Sequence, residues 1–193
     1  VSGASRVFDN EMGWVCSFDG LDDFILASNS PSLNMDTNAF TLIANIKTSF
    51  SNLQQSIYHK SHPSTTLNST WYSLVILDPQ NIPGSVYFGC DDNITKTQLK
   101  SMETVNDGHW HQVAGVRDRI ADKLFIYIDG VKTTEIQDNT DGTTSNSHDL
   151  RIGRFTSEHE DWFNGEMDNL RIYNRALSAS DIATLNTTST TTS

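Results

Sequence analysis

Short segments of alternating apolar and polar residues run along most of the chain, and they constrain its fold more than any other feature. Residues 124–128 form one such segment, and the dipeptide Asp129-Gly130 separates it from another at 131–134. An Asp-Gly pair in this position is typical of a tight β-hairpin. Similar segments, bounded by Gly, Pro, Asn, Asp or Ser, lie at 14–18, 24–27, 40–48, 56–59, 71–77, 85–90, 110–117, 150–155 and 167–173. About ten short strands with no helices between them predict an all-β, antiparallel sandwich or barrel.

One short helix is predicted after the last strand, at 178–185. Ser178 is followed three residues later by Asp181, which resembles a capping box, and Leu177, Ile182 and Leu185 supply a small apolar face. We expect this helix to cap one end of the sandwich. Residues 1–186 are predicted to form one domain. The run of Thr and Ser at 187–193 is predicted to begin a flexible linker to a neighbouring domain.

Composition excludes several classes of partner. The 193 residues include 24 acidic and 13 basic side chains, for a net charge of −11, which argues against nucleic acid and anionic membranes as partners. No stretch of 18 apolar residues is present, so membrane insertion is not expected. The two cysteines, Cys16 and Cys90, fit either one disulfide or two free thiols.

Five motifs, in order along the chain, resemble those of laminin G-like jelly-roll domains. They read FDGLDDF at 18–24, DGHWHQVA at 107–114, LFIYIDG at 124–130, LRIG at 150–153 and FNGEMDNLRIYNRALS at 163–178. The resemblance implies the concanavalin A-like lectin/glucanase sandwich, in which two antiparallel sheets pack face to face. This fold hosts sugar binders, glycosidases, lyases and adhesion modules, so the fold does not decide the function.

No catalytic residue is predicted. Related glycosidases carry paired carboxylates on one strand in an E-x-D-x-x-E pattern, which this chain lacks. The nearest acidic cluster, 158–161, is predicted to be a solvated loop. His109 and His111 flank Trp110 on a predicted strand and would share a face. We interpret them as ordinary strand residues rather than as a metal-binding pair.

A structural Ca²⁺ ion is a further expectation from the resemblance. Domains with this sandwich often hold one such ion between an early strand and the closing strand. The matching positions are Asp19 and Asp22 in the opening motif and Asp168 in the closing one. Carboxylates are preferred Ca²⁺ ligands. The alternative is that these residues shape turns and make hydrogen bonds.

Sugar binding requires an aromatic platform bordered by polar groups. Strand parity places Trp14 with Cys16 and Phe18 on the core face, and Trp110 is also expected to be packed. Trp162 and Trp71 are therefore the predicted exposed platforms. The predicted polar fringe of Trp162 consists of Arg154, His159, Glu160 and Asp161.

The sequence thus predicts a non-catalytic carbohydrate-binding module of a secreted or cell-surface multidomain protein, with a glycan or polysaccharide as its partner. Two alternatives stay open. One is an adhesion or structural module whose ligand is a protein. The other is a glycoside hydrolase or polysaccharide lyase built on the same fold.

Overall fold

Two antiparallel sheets make up the protein in a computed structural model, which describes residues 2–51, 53–62, 70–76, 82–156 and 161–186. The strands, in chain order, are β1 (Ser5–Asp9), β2 (Gly13–Asp19), β3 (Ile25–Ala27), β4 (Phe40–Lys47), β5 (Gln55–Lys60), β6 (Trp71–Ile76), β7 (Ser85–Asp91), β8 (Lys96–Thr104), β9 (Trp110–Asp118), β10 (Lys123–Ile128), β11 (Val131–Gln137), β12 (Leu150–Ile152) and β13 (Asn164–Tyr173). One 3₁₀ turn (Pro31–Leu33) follows β3, and one helix, α1 (Ala179–Leu185), follows β13.

The strand order is β1-β2-β13-β4-β9-β10-β11 in a seven-stranded sheet and β3-β12-β5-β6-β7-β8 in a six-stranded sheet. The main core lies between them. Alternate residues of β4, from Phe40 to Ile46, are completely buried, and the Phe40 ring packs against Tyr72 and Phe88 of the other sheet at centroid distances of 5.4 and 5.8 Å. The predicted all-β jelly-roll sandwich is confirmed. The Phe88 ring also lies against Gly115 so closely that a Cβ added there would be 2.2 Å from it.

The turn between β10 and β11 has the predicted form. Asp129 and Gly130 have φ angles of 51° and 77°. Positive φ at both central residues is the signature of a type I′ turn, whose twist matches that of the flanking strands. The predicted hairpin is confirmed.

Helix α1 begins with the predicted capping box but lies elsewhere than predicted. The Ser178 hydroxyl accepts a hydrogen bond from the Asp181 backbone N–H, and the Asp181 carboxylate accepts one from the Ser178 N–H, both at 3.1 Å. Instead of capping an end of the sandwich, the helix packs across the outer face of the seven-stranded sheet. The buried apolar residues of this contact are Ile43, Ala114, Val116, Tyr127, Leu177 and Ile182. The predicted position is wrong because this patch of the outer face is itself apolar and is buried by the helix.

Trp14 does not lie in the core as expected. Its parity with Cys16 and Phe18 is as predicted, but it belongs to the β1–β2 hairpin at the edge of the seven-stranded sheet and is 57% exposed. Its ring meets Phe8 edge to face at a centroid distance of 5.6 Å. Parity defines a face of a strand, but that face is buried only where the other sheet covers it.

Both cysteines are free thiols, which resolves the alternative that the sequence left open. Cys16 is half-buried and Cys90 is buried. Burial raises the pKa of the Cys90 thiol to about 11, so this thiol is protonated and unreactive near neutral pH.

A buried ion pair ties β9 to the segment after β11. Arg117 and Asp138 have fully buried side chains, with 2.8 Å between the Arg117 Nε and the Asp138 Oδ2. Arg119 Nη1 lies 2.9 Å from the same oxygen, and the Thr140 N–H donates to Asp138 Oδ1 at 3.0 Å. Burial opposes ionisation, but the hydrogen bonds from Thr140 and Arg117 hold the pKa of Asp138 below its ordinary value.

Within the described residues, no helix is long and apolar enough to cross a membrane.

Candidate functional site

The outer face of the six-stranded sheet is polar at its centre, although the core face of the same strands is apolar. Backbone pairing aligns one residue from each strand in a single row across this outer face. The row runs Leu26, Arg151, His59, Ser73, Gly89 and Gln98. Three of its polar members are almost inaccessible: Arg151 is 9%, His59 3% and Ser73 1% exposed. The centre of this face therefore consists of polar side chains that are largely enclosed.

Two aromatic side chains share this outer face. Trp71, a predicted platform, pairs with Asp91, and Tyr87 pairs with Val75 on the neighbouring strand. Both rings are half-buried. The Tyr87 hydroxyl donates to the side-chain carbonyl of Gln98, and burial raises its pKa, so the phenol stays protonated. Tyr87 is not predicted from the sequence, because only the strand register shows that it shares a face with Trp71.

Trp162, the other predicted platform, contacts Arg154 as predicted and also Phe24. Arg154 and Trp162 form a short β-bridge beyond β12. The Arg154 guanidinium carbon lies 4.6 Å from the centroid of the Trp162 ring and 5.2 Å from that of Phe24. The two rings are 6.1 Å apart and tilted by 45°. A half-buried Trp held by a planar cation and a second ring forms a rigid apolar surface at the β3–β12 edge of the sheet.

The rest of the predicted fringe is only partly described. Asp161 accepts a hydrogen bond from the Gln54 side chain at 3.3 Å. His159 and Glu160 lie outside the described residues. The register separates Trp71 from Arg154 by two strand spacings and about four residues of rise, or roughly 15 Å. Trp71 and Trp162 are therefore two separate positions along one sheet.

His59 is the most enclosed ionisable group of this face. Burial, together with the nearby Arg151 charge, lowers its pKa to about 3, so the ring is neutral. The Phe155 ring stacks on it at a centroid distance of 3.9 Å. Its Nε2 lies 2.6 Å from the Ser61 hydroxyl, which itself donates to the His62 carbonyl at 2.7 Å. Since that hydroxyl has only one proton, Nε2 is the donor and Nδ1 is an unprotonated acceptor.

Asp19 and Asp22 come together as predicted, and Asp23 joins them. One ligand oxygen from each of the three lies within 4.8 Å of the others. Asp19 Oδ1 accepts hydrogen bonds from the Leu21 and Asp22 N–H groups at 2.8 and 3.4 Å, and Asp23 Oδ2 accepts one from the Asp19 N–H at 2.8 Å. No ion pair in the described ranges joins these carboxylates to Lys or Arg. This all-oxygen donor set fits a hard cation such as Ca²⁺.

Asp168 lies away from this acidic group. It pairs with Asn45 on β4 and borders a cleft with Val15 and Cys16. Asp19 pairs with Asn164, four residues earlier on β13, so Asp168 is about 13 Å further along the strand. Asp23, rather than Asp168, completes the group. The position of Asp23 directly after Asp22 in the sequence is the signal that could have identified it.

On the seven-stranded sheet, His111 lies between two carboxylates. Its Nδ1 is 2.8 Å from Asp129 Oδ2 and its Nε2 is 3.1 Å from Asp107 Oδ1. The hydrogen bond to Asp129 is the main cause of its raised pKa, opposed by partial burial. His109 is exposed and its backbone N–H donates to Asp107. The two histidines are therefore separate, and only His111 is a strand residue, because β9 begins at Trp110, after His109.

Several solved structures share this fold. The binding domain of Paraclostridial mosquitocidal protein 1 matches with a TM-score of 0.77 and 14% identity, covering 96% of this chain and 45% of that one. Domain 4 of an extracellular arabinanase from Geobacillus stearothermophilus, solved with arabinotriose, gives 0.75 and 18%, covering 96% and 82%. The CBM40 domain of the Ruminococcus gnavus IT-sialidase gives 0.64 and 15%, covering 86% and 97%. This chain thus spans less than half of the toxin domain that it matches.

A search of curated proteins finds no match. A family model described as the concanavalin A-like lectin/glucanases superfamily matches residues 19–183, which is most of the chain. The five motifs, the two-sheet sandwich and this match agree, and the chain belongs to the concanavalin A-like lectin/glucanase superfamily, with laminin G-like character.

Proposed function

We propose that the protein is a non-catalytic carbohydrate-binding module that holds a glycan on the outer face and β3–β12 edge of the six-stranded sheet. The observation that carries the proposal is the packing of Trp162, Arg154 and Phe24 at that edge. A pyranose ring stacks its C–H face on an aromatic ring, while its hydroxyls bond to planar polar groups. Trp71 and Tyr87 offer further rings on the same face.

The structural relatives support this proposal. The arabinanase domain was solved with arabinotriose, and the sialidase domain also with sialyllactose. The first is one domain of an extracellular arabinanase, and the second is the CBM40 domain of a sialidase. By analogy, the present chain would act outside the cell, fixing a neighbouring domain to a polysaccharide. The predicted linker at 187–193 lies outside the described residues.

A structural Ca²⁺ ion forms part of the proposal. Asp19, Asp22 and Asp23 would hold it. By neutralising three neighbouring carboxylates, the ion would stabilise the loop between β2 and β3, from which Phe24 reaches Trp162. We expect added Ca²⁺ to raise the melting temperature through its binding to the folded state. Asp22→Asn should abolish that rise, whereas Asp168→Asn should retain it.

Binding assays with wild-type protein and three tryptophan variants test the main proposal. The wild type should bind at least one member of a panel of neutral and acidic polysaccharides in affinity electrophoresis and calorimetry. Trp162→Ala should weaken that binding by about tenfold, which corresponds to about 1.4 kcal/mol of lost stacking. Trp71→Ala tests the second ring. Trp14→Ala is the control, because this exposed ring lies on the other sheet.

A protein ligand is the second candidate, favoured by one specific observation. Phe8 and Trp14 are 64% and 57% exposed and pack against each other on the β1–β2 hairpin, with Arg6 over the Trp14 ring at 4.7 Å. Exposed aromatic pairs beside Arg are typical of protein-contact surfaces. If the polysaccharide panel shows no binding and only Trp14→Ala abolishes capture of a protein partner, this candidate replaces the glycan proposal.

A further inference from the structure

The outer face of the six-stranded sheet is basic, although the protein as a whole is strongly acidic. β8 contributes Lys96 and Lys100 to this face and β12 contributes Arg151, against Asp91 on β7 and Asp149 directly before β12, whose charge acts on Arg151. The whole chain, by contrast, carries 24 acidic and 13 basic residues. A local excess of positive charge against such a background attracts anions to this one face.

Arg151 is a nearly buried cation with no carboxylate within ion-pair distance among the described residues, although the Asp149 charge acts on it from further away. Its Nη1 donates to the Ser61 carbonyl at 3.4 Å, and no ion pair to Arg151 occurs among the described residues. Burial and the neighbouring Arg154 charge lower its pKa. A buried charge is normally compensated by a counter-ion, because desolvation without one is costly. None of its nitrogens belongs to the fully buried atoms that lack partners, so its remaining donors reach solvent.

Arg154 is the accessible second cation. Its Nε donates to the Thr156 carbonyl at 3.0 Å, and its guanidinium carbon lies over the Phe24 and Trp162 rings. Its terminal Nη1 and Nη2 make no hydrogen bond to the described residues. A guanidinium fixed in this way presents its remaining donors as a fork, which is the geometry that binds a carboxylate with two parallel hydrogen bonds.

Three polar atoms on this face are buried and lack hydrogen-bond partners in the described part of the chain. They are the His59 Nδ1, the Ser56 Oγ and the Ser85 Oγ, in residues that are 3%, 0% and 0% exposed. The Nδ1 is an acceptor, as shown above, so it requires a donor such as a hydroxyl. Buried polar groups in folded proteins are nearly always paired, and orphans of this kind mark a missing ligand group or water.

From these groups together we infer that the site takes an acidic sugar, whose carboxylate is held by Arg154 and Arg151 and whose hydroxyl donates to the His59 Nδ1. This inference rests on the proposed glycan-binding function and deepens it. A neutral sugar would satisfy the His59 acceptor but would bring no negative charge to the two guanidinium groups.

Matched pairs of sugars test the inference, because each pair differs in its charge. One pair is trigalacturonate and its methyl ester, and the other is sialyllactose and lactose. They also distinguish a uronate from a sialate as the source of the carboxylate. We expect calorimetry to show at least about tenfold tighter binding of the charged member of one pair. That preference should shrink between about 50 and about 500 mM NaCl.

Arg154→Gln should remove the preference for the charged sugar while leaving the melting temperature near that of the wild type. Arg151→Gln should do the same, provided that a thermal melt shows it folded. Arg171→Gln on β13 removes one exposed positive charge from the other sheet and serves as the control. Equal affinity for both members of each pair, or no effect of Arg154→Gln, would overturn the inference. Failure to bind any glycan, neutral or charged, would instead refute the proposed function.

Discussion

Removing the negative charge of Asp138 tests how the two Arg residues at the end of β9 are stabilised. In Asp138→Asn, Arg117 would remain fully buried and would lose the carboxylate oxygen at 2.8 Å from its Nε. Breaking a buried pair by removing one partner costs about 3–5 kcal/mol, because the remaining charge is uncompensated. At about 2–4 °C per kcal/mol for a domain of this size, the melting temperature should fall by roughly 6–20 °C.

Urea unfolding at pH 7 would measure the change, and Asp141→Asn is the matched control. Asp141 lies 3.3 Å from Arg119, but its side chain is 93% exposed, so its loss should leave the urea midpoint unchanged. The native pKa of Asp138 is lowered, so its contribution is present above its unfolded pKa of about 3.9 and is lost as pH falls through the native value. The difference from the wild type should therefore be constant between pH 7 and pH 5 and narrow in stronger acid. A loss below about 1 kcal/mol at pH 7 would refute the reasoning.

Three further changes have expected outcomes. His111 has a raised native pKa between Asp107 and Asp129, so its stabilisation is present below an unfolded pKa of about 6.5 and is lost as pH rises through the native value. His111→Gln should therefore cost more stability at pH 5.5 than at pH 8.5 in urea titrations, and an equal cost at both values would contradict the assignment. Ser178→Ala removes the N-cap of α1 and should cost about 1 kcal/mol in the same assay, with no loss counting against the capping box. Gly115→Ala places a methyl group against the buried Phe88 ring and should cost about 1–3 kcal/mol of unfolding free energy. An unchanged melting temperature would show that the ring can move aside and would contradict this prediction.

The sequence predicts most strands because a half-buried strand requires apolar residues at every second position. Two strands, β1 and β8, do not meet that criterion. In β8, Lys96, Gln98, Lys100 and Met102 alternate with partly apolar buried positions, and β1 has a similar mixed composition. Both are edge strands, with one neighbour each. Edge strands carry charged residues that discourage pairing with other molecules, and those charges weaken the apolar signal.

The candidate site likewise contains contacts that the sequence can predict and contacts that it cannot. Arg154 and Trp162 are close in sequence, and a single short connection suffices to bring them together, so the sequence could predict their contact. Phe24 comes from the other end of the chain, and Arg151, His59 and Tyr87 meet only through the register of four strands. A β-bulge between Ser56 and Tyr58 changes that register, and one residue of slip would turn every outer side chain inward.

The place of β13 has a consequence for the order in which this chain can fold during synthesis. It is inserted between β2 and β4, and Asn164 bonds to Asp19 across 145 residues of sequence. Until the ribosome has released residues 164–173, β2 and β4 each have one unpaired edge, and the seven-stranded sheet is incomplete. Such long-range pairing makes folding slow, and open edges of this kind invite pairing between chains. The last strand therefore joins the two parts of the seven-stranded sheet. We expect the open edges of the nascent protein to require protection until that strand emerges.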